Sequence, residues 1–425
     1  MIHVRSRHAA WWLIAAFLLS LPVVTTRINA SDEIQFFSWL HSWAFDRDAD
    51  FDNEYRHFHD VGPGRNPGFI ETFLDAQNEA GRRPNFAPIG SAVLWLPFYA
   101  AGHLAAGLSG SVTDGLSHPY IAAVTYGSAI YGLLSLLLSA AIVGRLIGSG
   151  GITAAVVVWL ATPLLFYMYV APAFSHACSA FAVALFLWTW LRVRERWSMA
   201  GAVGLGLAGA LMAMVREQDL FFVAGPAVDF LRWSYFRLRP GAAGAAGPLT
   251  WPRVARRAMA GTVAFFAGYA PQLAAYQALN GHPSPTTTVA RKMTWSSPHF
   301  LEVLFSPQHG LFFWTPLAAL ALVGLIVLCV RRPVATAASR DDALPAADVR
   351  WIAALLLLMV GLQVYVSGSV ESWTVAGAFG QRRFVALTPI LVVGIAALLP
   401  PLARARFVAG RAPSWPPWRS GGISG

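Results

Sequence analysis

Charge is scarce in this chain. Asp, Glu, Lys and Arg make up 12% of its residues, about half of the ~25% usual in soluble domains. Hydrophobic residues make up 56%, and mean hydropathy is +0.52. That balance excludes a soluble globular protein and implies an integral membrane one. Lysine is nearly absent, with Lys292 alone against 30 arginines. The net charge of +10 does not point to nucleic acid, because the arginines gather at the ends of apolar runs, as in the cytoplasmic loops of membrane proteins. Cysteine is rare too. Cys178 and Cys329 both fall inside apolar stretches, so no disulfide is expected and no redox compartment follows. CxxC, HExxH and Walker-type spacings are missing, which leaves no ready-made metal or nucleotide site.

What is present is a series of apolar runs. A span needs about 20 mostly apolar residues. Ala10–Thr25, Pro119–Val143, Ile152–Val170, Ala173–Leu191, Ala200–Val215, Gln218–Leu231, Ala258–Leu279, Leu311–Val330, Trp351–Ser367 and Phe384–Ala403 read as spans of an all-α polytopic bundle, about ten in all. Arg5 and Arg7 ahead of the first run resemble the start of a signal peptide. Because the chain returns to the membrane many times, a retained first helix is the economical reading. Pro88–Leu108 is ambiguous, and charge decides it. Arg145, Arg192, Arg194, Arg196, the group from Arg232 to Arg257, Arg331-Arg332, and Arg404, Arg406 and Arg411 share the cytoplasmic side with the N-terminus only if Pro88–Leu108 makes no net crossing. It is therefore expected as a re-entrant or interfacial helix, and irregular backbone at that depth must be enclosed by protein or line a wet cavity. Residues 1–410 then form a single transmembrane domain, with 26–118 as its first extracytoplasmic loop. Trp233–Arg257, with GAAGAAGP, and Pro333–Val349 read as cytoplasmic linkers, and 411–425 as a disordered cytoplasmic tail.

Eleven of the 21 carboxylates lie between Thr26 and Ala87. The loop opens on Asp32-Glu33 just past the first span, and ionisable groups held at a membrane are functional candidates. One reading makes this pair a general base and its helper; another makes Ser31-Asp32-Glu33 a helix N-cap, and both can hold at once. Asp46, Asp48, Asp50, Asp52, Glu54, His57, His59 and Asp60 follow. They read as a solvated acidic face, with a divalent-cation or acceptor-sugar site as the alternative, since the glycine and glutamate of an EF-hand are out of register. Cations break the positive-inside pattern in the outer loops: Arg216, Arg291-Lys292 and Arg382-Arg383. Arg82-Arg83 precedes the interfacial segment. Guanidinium forks suit phosphate, while headgroup anchoring and a salt-bridged turn at Arg216-Glu217 are the plainer alternatives. Trp295, Trp314 and Trp373 read as interface belt.

The order of these features resembles the GT-C superfamily of membrane glycosyltransferases, of the protein O-mannosyltransferase and aminoarabinose-transferase type. Asp32-Glu33-Ile34-Gln35-Phe36-Phe37 stands where that family has Asp-Glu-x-x-Tyr after the first helix, with Phe replacing the tyrosine. Pro84-Asn85-Phe86-Ala87-Pro88-Ile89 ends the long outer loop, and the family's Pro-Pro-Leu motif is only loosely matched there. Val215-Arg216-Glu217-Gln218 closes a middle span, and Arg382-Arg383-Phe384-Val385-Ala386-Leu387-Thr388-Pro389 opens the last one. The resemblance covers nearly the whole chain. It implies an enzyme of the bacterial inner membrane that moves a sugar from a polyprenyl-phosphate donor to a glycan, lipid or protein acceptor on the extracytoplasmic side. Asp32 would be the base and Glu33 its orienting partner. Arg82, Arg83, Arg216, Arg291, Lys292, Arg382 and Arg383 are the candidates for the carrier phosphate. No organic cofactor is implied, and a divalent cation is compatible with the acidic loop.

The rival class is a transporter or lipid flippase. It predicts internal repeats and ionisable residues deep in the spans, whereas this chain has no evident repeat and keeps its charges toward the ends of its apolar runs.

Overall fold

A computed structural model describes residues 2–239, 249–330 and 344–409. Within them every regular element is helical, and the one extended pairing is an antiparallel bridge between Met293 and Val370. Residues 240–248, 331–343 and 411–425 and the side chains of Arg404 and Arg406 lie outside the described part. The rest of the expected linker Trp233–Arg257 is not a flexible loop but mostly helix, with one helix running to Leu238 and the next starting at Trp251. The helices are α1 (Ile2–Ser20), α2 (Ser31–His41), α3 (Asp52–Asp60), α4 (Gly90–Ser109), α5 (His118–Leu146), α6 (Gly151–Ala161), α7 (His176–Val193), α8 (Met199–Val215), α9 (Ala224–Leu238), α10 (Trp251–Asn280), α11 (Pro316–Val330), α12 (Ala346–Gly368) and α13 (Thr388–Ala409).

Among the described residues, five stretches are long and apolar enough to cross a membrane: Gly90–Ser109, His118–Leu146, His176–Val193, Ala346–Gly368 and Arg382–Leu399. Ala9–Val23, Gly151–Ala161, Met199–Val215 and Pro316–Val330 are apolar but shorter. Prolines account for part of the shortfall from the ten expected spans. Ile152–Val170 breaks between Ala161 and Leu164, at Thr162-Pro163, and Leu311–Val330 breaks at Thr315-Pro316, since proline offers no N–H to the turn before it. Helices pack through small residues. A Cβ on Gly324 would meet the Gly394 carbonyl oxygen at 1.9 Å, and one on Gly206 would meet that of Gly261 at 2.2 Å. Close backbone approach of this kind is how apolar helices associate where burial of apolar surface gives little drive.

The bundle has two unlike ends. At one, Arg145 bonds Glu195, Arg194 pairs with Asp229 at 2.9 Å and with Asp348 at 3.5 Å, and Arg257 lies over the Trp233 ring. This end gathers the C-terminal ends of α5, α7 and α9 and the start of α12. At the other end the C-terminus of α8 meets the start of α7, where Arg216 reaches His176. Ser20 also bonds Tyr169 there, and Asn78 donates to the Leu279 carbonyl at the end of α10. The acidic N-terminal loop caps this second end.

α4 corresponds to the segment Pro88–Leu108, and it is a continuous helix of 20 residues. Its first residue, Gly90, packs on the backbone of Met214 and Val215 at the end of α8. It then folds back along the N-terminal half of α5, with Trp95 Nε1 donating to Ser128 Oγ at 2.9 Å and Tyr131 donating to the Leu94 carbonyl at 2.8 Å. The loop that follows receives Tyr99 and His41 on the carbonyls of Gly115 and Asp114. A helix of 20 residues is about 30 Å long, and by length and composition α4 is able to cross a membrane.

Candidate functional site

α2 sets the position of the acidic pair. Its residues from Glu33 to His41 are all buried. Trp39 Nε1 donates to the Ala87 carbonyl at 2.9 Å, Asn85 Nδ2 donates to the Gln35 carbonyl at 3.0 Å, and Gln35 Oε1 accepts the Phe86 amide at 2.9 Å. The Pro84–Ile89 segment thus clamps α2 along its length. The helix is capped by Glu33, whose Oε2 accepts the amides of Asn29 and Ala30 at 2.8 and 3.1 Å. This is the glutamate half of a capping box; the N-cap position is Ala30, which has no side-chain oxygen to give. Ser31 was the expected cap, yet its hydroxyl accepts from Asn66 instead. Burial pushes the Glu33 carboxyl up to about 7, against the backbone amides of Asn29, Ala30 and Ala173, which pull it down.

With Glu33 turned back onto the helix end, Asp32 is free to face outward. Its Oδ2 accepts from Arg382 Nη1 at 2.7 Å across 350 residues of sequence, in an ion pair that stays part-exposed on both sides. Three arginines surround this carboxylate. Arg216 and Arg383 both feel the charges of Asp32 and Arg382. Arg216 donates to Gln218 at 3.1 Å and meets His176 Nδ1 at 2.9 Å, while its Nε is buried with no hydrogen-bond partner in the protein. Glu217 fixes the turn that displays Arg216, taking the hydroxyls of Tyr269 and Tyr276 on one oxygen at 2.8 and 2.7 Å. Those tyrosines stand two turns apart on α10. Phe174 lies under the Arg382 guanidinium, 5.4 Å from its centroid, stacks with His176, and packs with Tyr167.

Arg383 does a different job. Its guanidinium donates to the carbonyl and hydroxyl of Ser372 at 3.0 and 3.1 Å, and its own carbonyl accepts from Gln363. It ties the loop before α13 to the end of α12. Arg82 and Arg83 lie elsewhere. Arg82 donates to the Ala278 carbonyl, and Arg83 pairs with Asp52 at 2.8 Å. Lys292 covers the Phe86 ring at 5.4 Å, and its carbonyl accepts the Glu371 amide. Arg291 is exposed. The structure therefore brings together Asp32, Arg216, Arg382 and Arg383, places Glu33 as a cap beside them, and gives Arg82, Arg83 and Lys292 partners of their own.

Sequence reasoning passed over Tyr167, Phe174 and His176. The available signal was a histidine inside an otherwise apolar run next to Ser175. The solvated reading of the acidic loop describes Asp48, Asp50 and Asp60, but not Glu54, which is fully buried.

A carboxylate facing a ring of guanidiniums at a rim of aromatic side chains can hold a hydroxyl and an anion side by side. Compared with known proteins, the chain matches no family model, and neither a curated protein nor a solved structure matches it.

Proposed function

We propose that this chain is an integral membrane glycosyltransferase of GT-C type, passing through the bacterial inner membrane about ten times and working at its extracytoplasmic face. The donor is a sugar on a polyprenyl phosphate and the acceptor is a hydroxyl of a glycan, lipid or protein. The observation that carries this reading is the Asp32–Arg382 pair at 2.7 Å, with Arg216 and Arg383 in electrostatic reach of it. The contacts between opposite helix ends support the ten passes, and the one-sided arginines support the orientation.

The chemistry follows from these groups. The acceptor oxygen attacks the anomeric carbon, the bond from that carbon to the phosphate oxygen breaks, and the hydroxyl proton passes to Asp32. The leaving polyprenyl phosphate takes the negative charge, which Arg382 and Arg216 offset. In the resting site Arg382 holds Asp32. An arriving phosphate competes for that guanidinium and frees the carboxylate to accept a proton, so the base is released only when the donor is present.

The test is Asp32→Asn, assayed in membranes supplied with polyprenyl-phosphate sugar. Loss of a general base lowers the rate by about 10²–10⁴-fold, and insertion should be unchanged. Near-normal transfer rules the reading out and leaves the transporter class standing.

A further inference from the structure

At the far end of α2 from Asp32, three side chains converge without a role in the site above. His41 Nδ1 lies 2.9 Å from Glu54 Oε1 and 3.0 Å from Asp46 Oδ2. One ligand atom from each of the three falls within 4.8 Å of the others. Local structure builds this convergence on purpose-made backbone. Ser42–Asp46 is a π turn, and such turns recur at functional sites. Its i-to-i+5 repeat stacks Asp46 over His41, where an α-helix would carry it round to a different face. Arg47, in the left-handed region at φ 62°, ends the turn. Glu54 comes from α3, with its side chain wholly buried.

The hydrogen-bond partners define what the gap between these side chains can hold. His41 Nε2 lies 3.1 Å from the Asp114 carbonyl oxygen, an approach that requires Nε2 to carry a proton. In the neutral ring Nδ1 then presents a lone pair, and it presents it to two carboxylate oxygens. The second Glu54 oxygen, Oε2, is buried with no hydrogen-bond partner in the protein. Asp46 Oδ2 receives one further contact, from Asn53 Nδ2 at 2.9 Å. Three electron-rich atoms facing one point take a positive centre between them, either a proton on Nδ1 or a metal ion.

We propose that His41, Asp46 and Glu54 bind a first-row divalent metal ion, with Zn²⁺ or Mn²⁺ as the chemical class. One imidazole and two carboxylates are ordinary ligands for such ions, and imidazole argues against Mg²⁺ and Ca²⁺. Ligand bonds of about 2.0–2.2 Å put tetrahedral ligand atoms ~3.3 Å apart, so the separations of His41 Nδ1 from Glu54 and Asp46, 2.9 and 3.0 Å, open by only a few tenths of an ångström. The bond from His41 Nε2 to a backbone carbonyl is the outer contact that fixes a ligating imidazole's tautomer. Phe45 stacks flat on the His41 ring, with centroids 5.2 Å apart, and shields one side. Asp46 is the solvent-facing member, which leaves a way in for the ion and a coordination position for water. Such an ion joins α2, the π turn after it and α3, and so stiffens the cap over the acidic end.

The experiment uses the full chain in detergent or nanodiscs, stripped with EDTA and titrated with Zn²⁺, and separately with Mn²⁺ or Co²⁺. The expected result is one saturable equivalent per chain for Zn²⁺, a rise in melting temperature on loading, and a Co²⁺ absorption spectrum with nitrogen and oxygen ligation. His41→Gln should abolish this binding. Asp46→Asn, at the exposed member and therefore the variant least disturbing to folding, should weaken it by at least ~10-fold. If His41→Gln fails to fold, the wild-type Co²⁺ spectrum and Asp46→Asn still decide. No saturable equivalent in the wild type, or unchanged affinity in Asp46→Asn, overturns the proposal, and a proton shared by His41 and Glu54 is then the occupant of the gap.

Discussion

The two ends of this bundle use the same residue types to opposite effect. At the arginine end the guanidiniums line a cavity of about 890 Å³ with Trp188, Trp233 and neighbouring rings, and several lie over aromatic faces: Arg192 on Trp188, Arg232 on Trp351, Arg239 on Tyr235. Its carboxylates are matched. Asp229, nearly buried, takes Arg194 together with the indole N–H groups of Trp190 and Trp351. At the acidic end the pairs around Asp52 are matched, but the groups around Asp32 and Glu33 are not. Glu33 is buried and accepts only from uncharged backbone groups, while three guanidiniums, Arg216, Arg382 and Arg383, share Asp32 and the buried Asp219. Matched charge holds an architecture together. Mismatched charge, held in place by surrounding packing, is what a ligand can complete.

The largest effect should come from breaking a match. Arg194→Ala strands Asp229 in a buried position, and removing one partner of a buried pair costs about 3–5 kcal/mol. A thermal or denaturant melt should show that loss, with sugar transfer per folded molecule unchanged. Loss of transfer at full stability would erase the distinction between the two ends.

Glu33 tests the opposite case through pH. Its folded pKa is about 7 against 4.5 for the free side chain, chiefly through burial. The folded state therefore holds the proton more tightly, so the contribution of this carboxyl to stability is present below pH 4.5 and declines as pH rises from 4.5 to 7. A shift of this size amounts to about 3 kcal/mol. Glu33→Gln keeps an oxygen for the Asn29 and Ala30 amides and has no proton to lose. Its stability should stay flatter over that window than the wild type's. Equal pH slopes for the two proteins would show that Glu33 is solvated in the folded state.

Arg382 and Arg383 are neighbours in sequence and differ in partner, which sharpens the comparison within one end. Arg382→Ala should lower transfer by about 10- to 100-fold, the loss of a charge-assisted hydrogen bond worth ~1.5–3 kcal/mol, with little change in stability because the pair is part-exposed. Arg382→Lys should restore only part, since a point charge does not reproduce the fork. Arg383→Ala removes both bonds to Ser372 and should appear first as lost stability. If the two variants behave alike, the neighbours share one role.

Helix placement was legible because it is written locally. Pro119–Val143, Ala173–Leu191 and Trp351–Ser367 fall within a few residues of α5, α7 and α12, and the apolar runs fix them without reference to the rest of the chain. The acidic pair and the arginines between apolar runs stood out too, because charge beside apolar sequence is conspicuous. The meeting of Asp32 with Arg216 and Arg382-Arg383 follows from reading one as the base and the others as phosphate ligands, and the Asp32–Arg382 pair across 350 residues agrees with it. That Arg82 and Arg83 are held elsewhere was not legible, since their partners, the Ala278 carbonyl and Asp52, come from tertiary packing. His41 escaped notice for a related reason. Its partners are set by a π turn, and helical periodicity gives no hint of a register five residues long. Glu54 looked like one more solvated acid because its burial comes from tertiary packing of α3, through Tyr55 and Phe58.

The smallest effect is expected at Arg83, and it separates a basic residue near the site from one within it. Arg83 pairs with Asp52, which Arg56 also holds, at 2.8 and 2.6 Å. Arg56 most strongly holds that carboxyl below its usual range, burial opposes it, and Arg83 adds a lesser pull in the same direction as Arg56. Removing Arg83 leaves Asp52 with Arg56, so no charge is stranded. Exposed pairs of this sort are worth about 0–1 kcal/mol. Arg83→Ala should therefore lower the melting temperature slightly, and high salt should shrink even that difference, because solvent-facing charges are screened. Transfer should stay close to wild type, since the Arg83 side chain is engaged with Asp52 and the Ala76 carbonyl and makes no contact with Asp32. A fall in transfer comparable to that of Arg382→Ala would move the carrier-phosphate site across α2 to the Pro84–Ile89 side, and would make the clamp on α2 part of the substrate cradle.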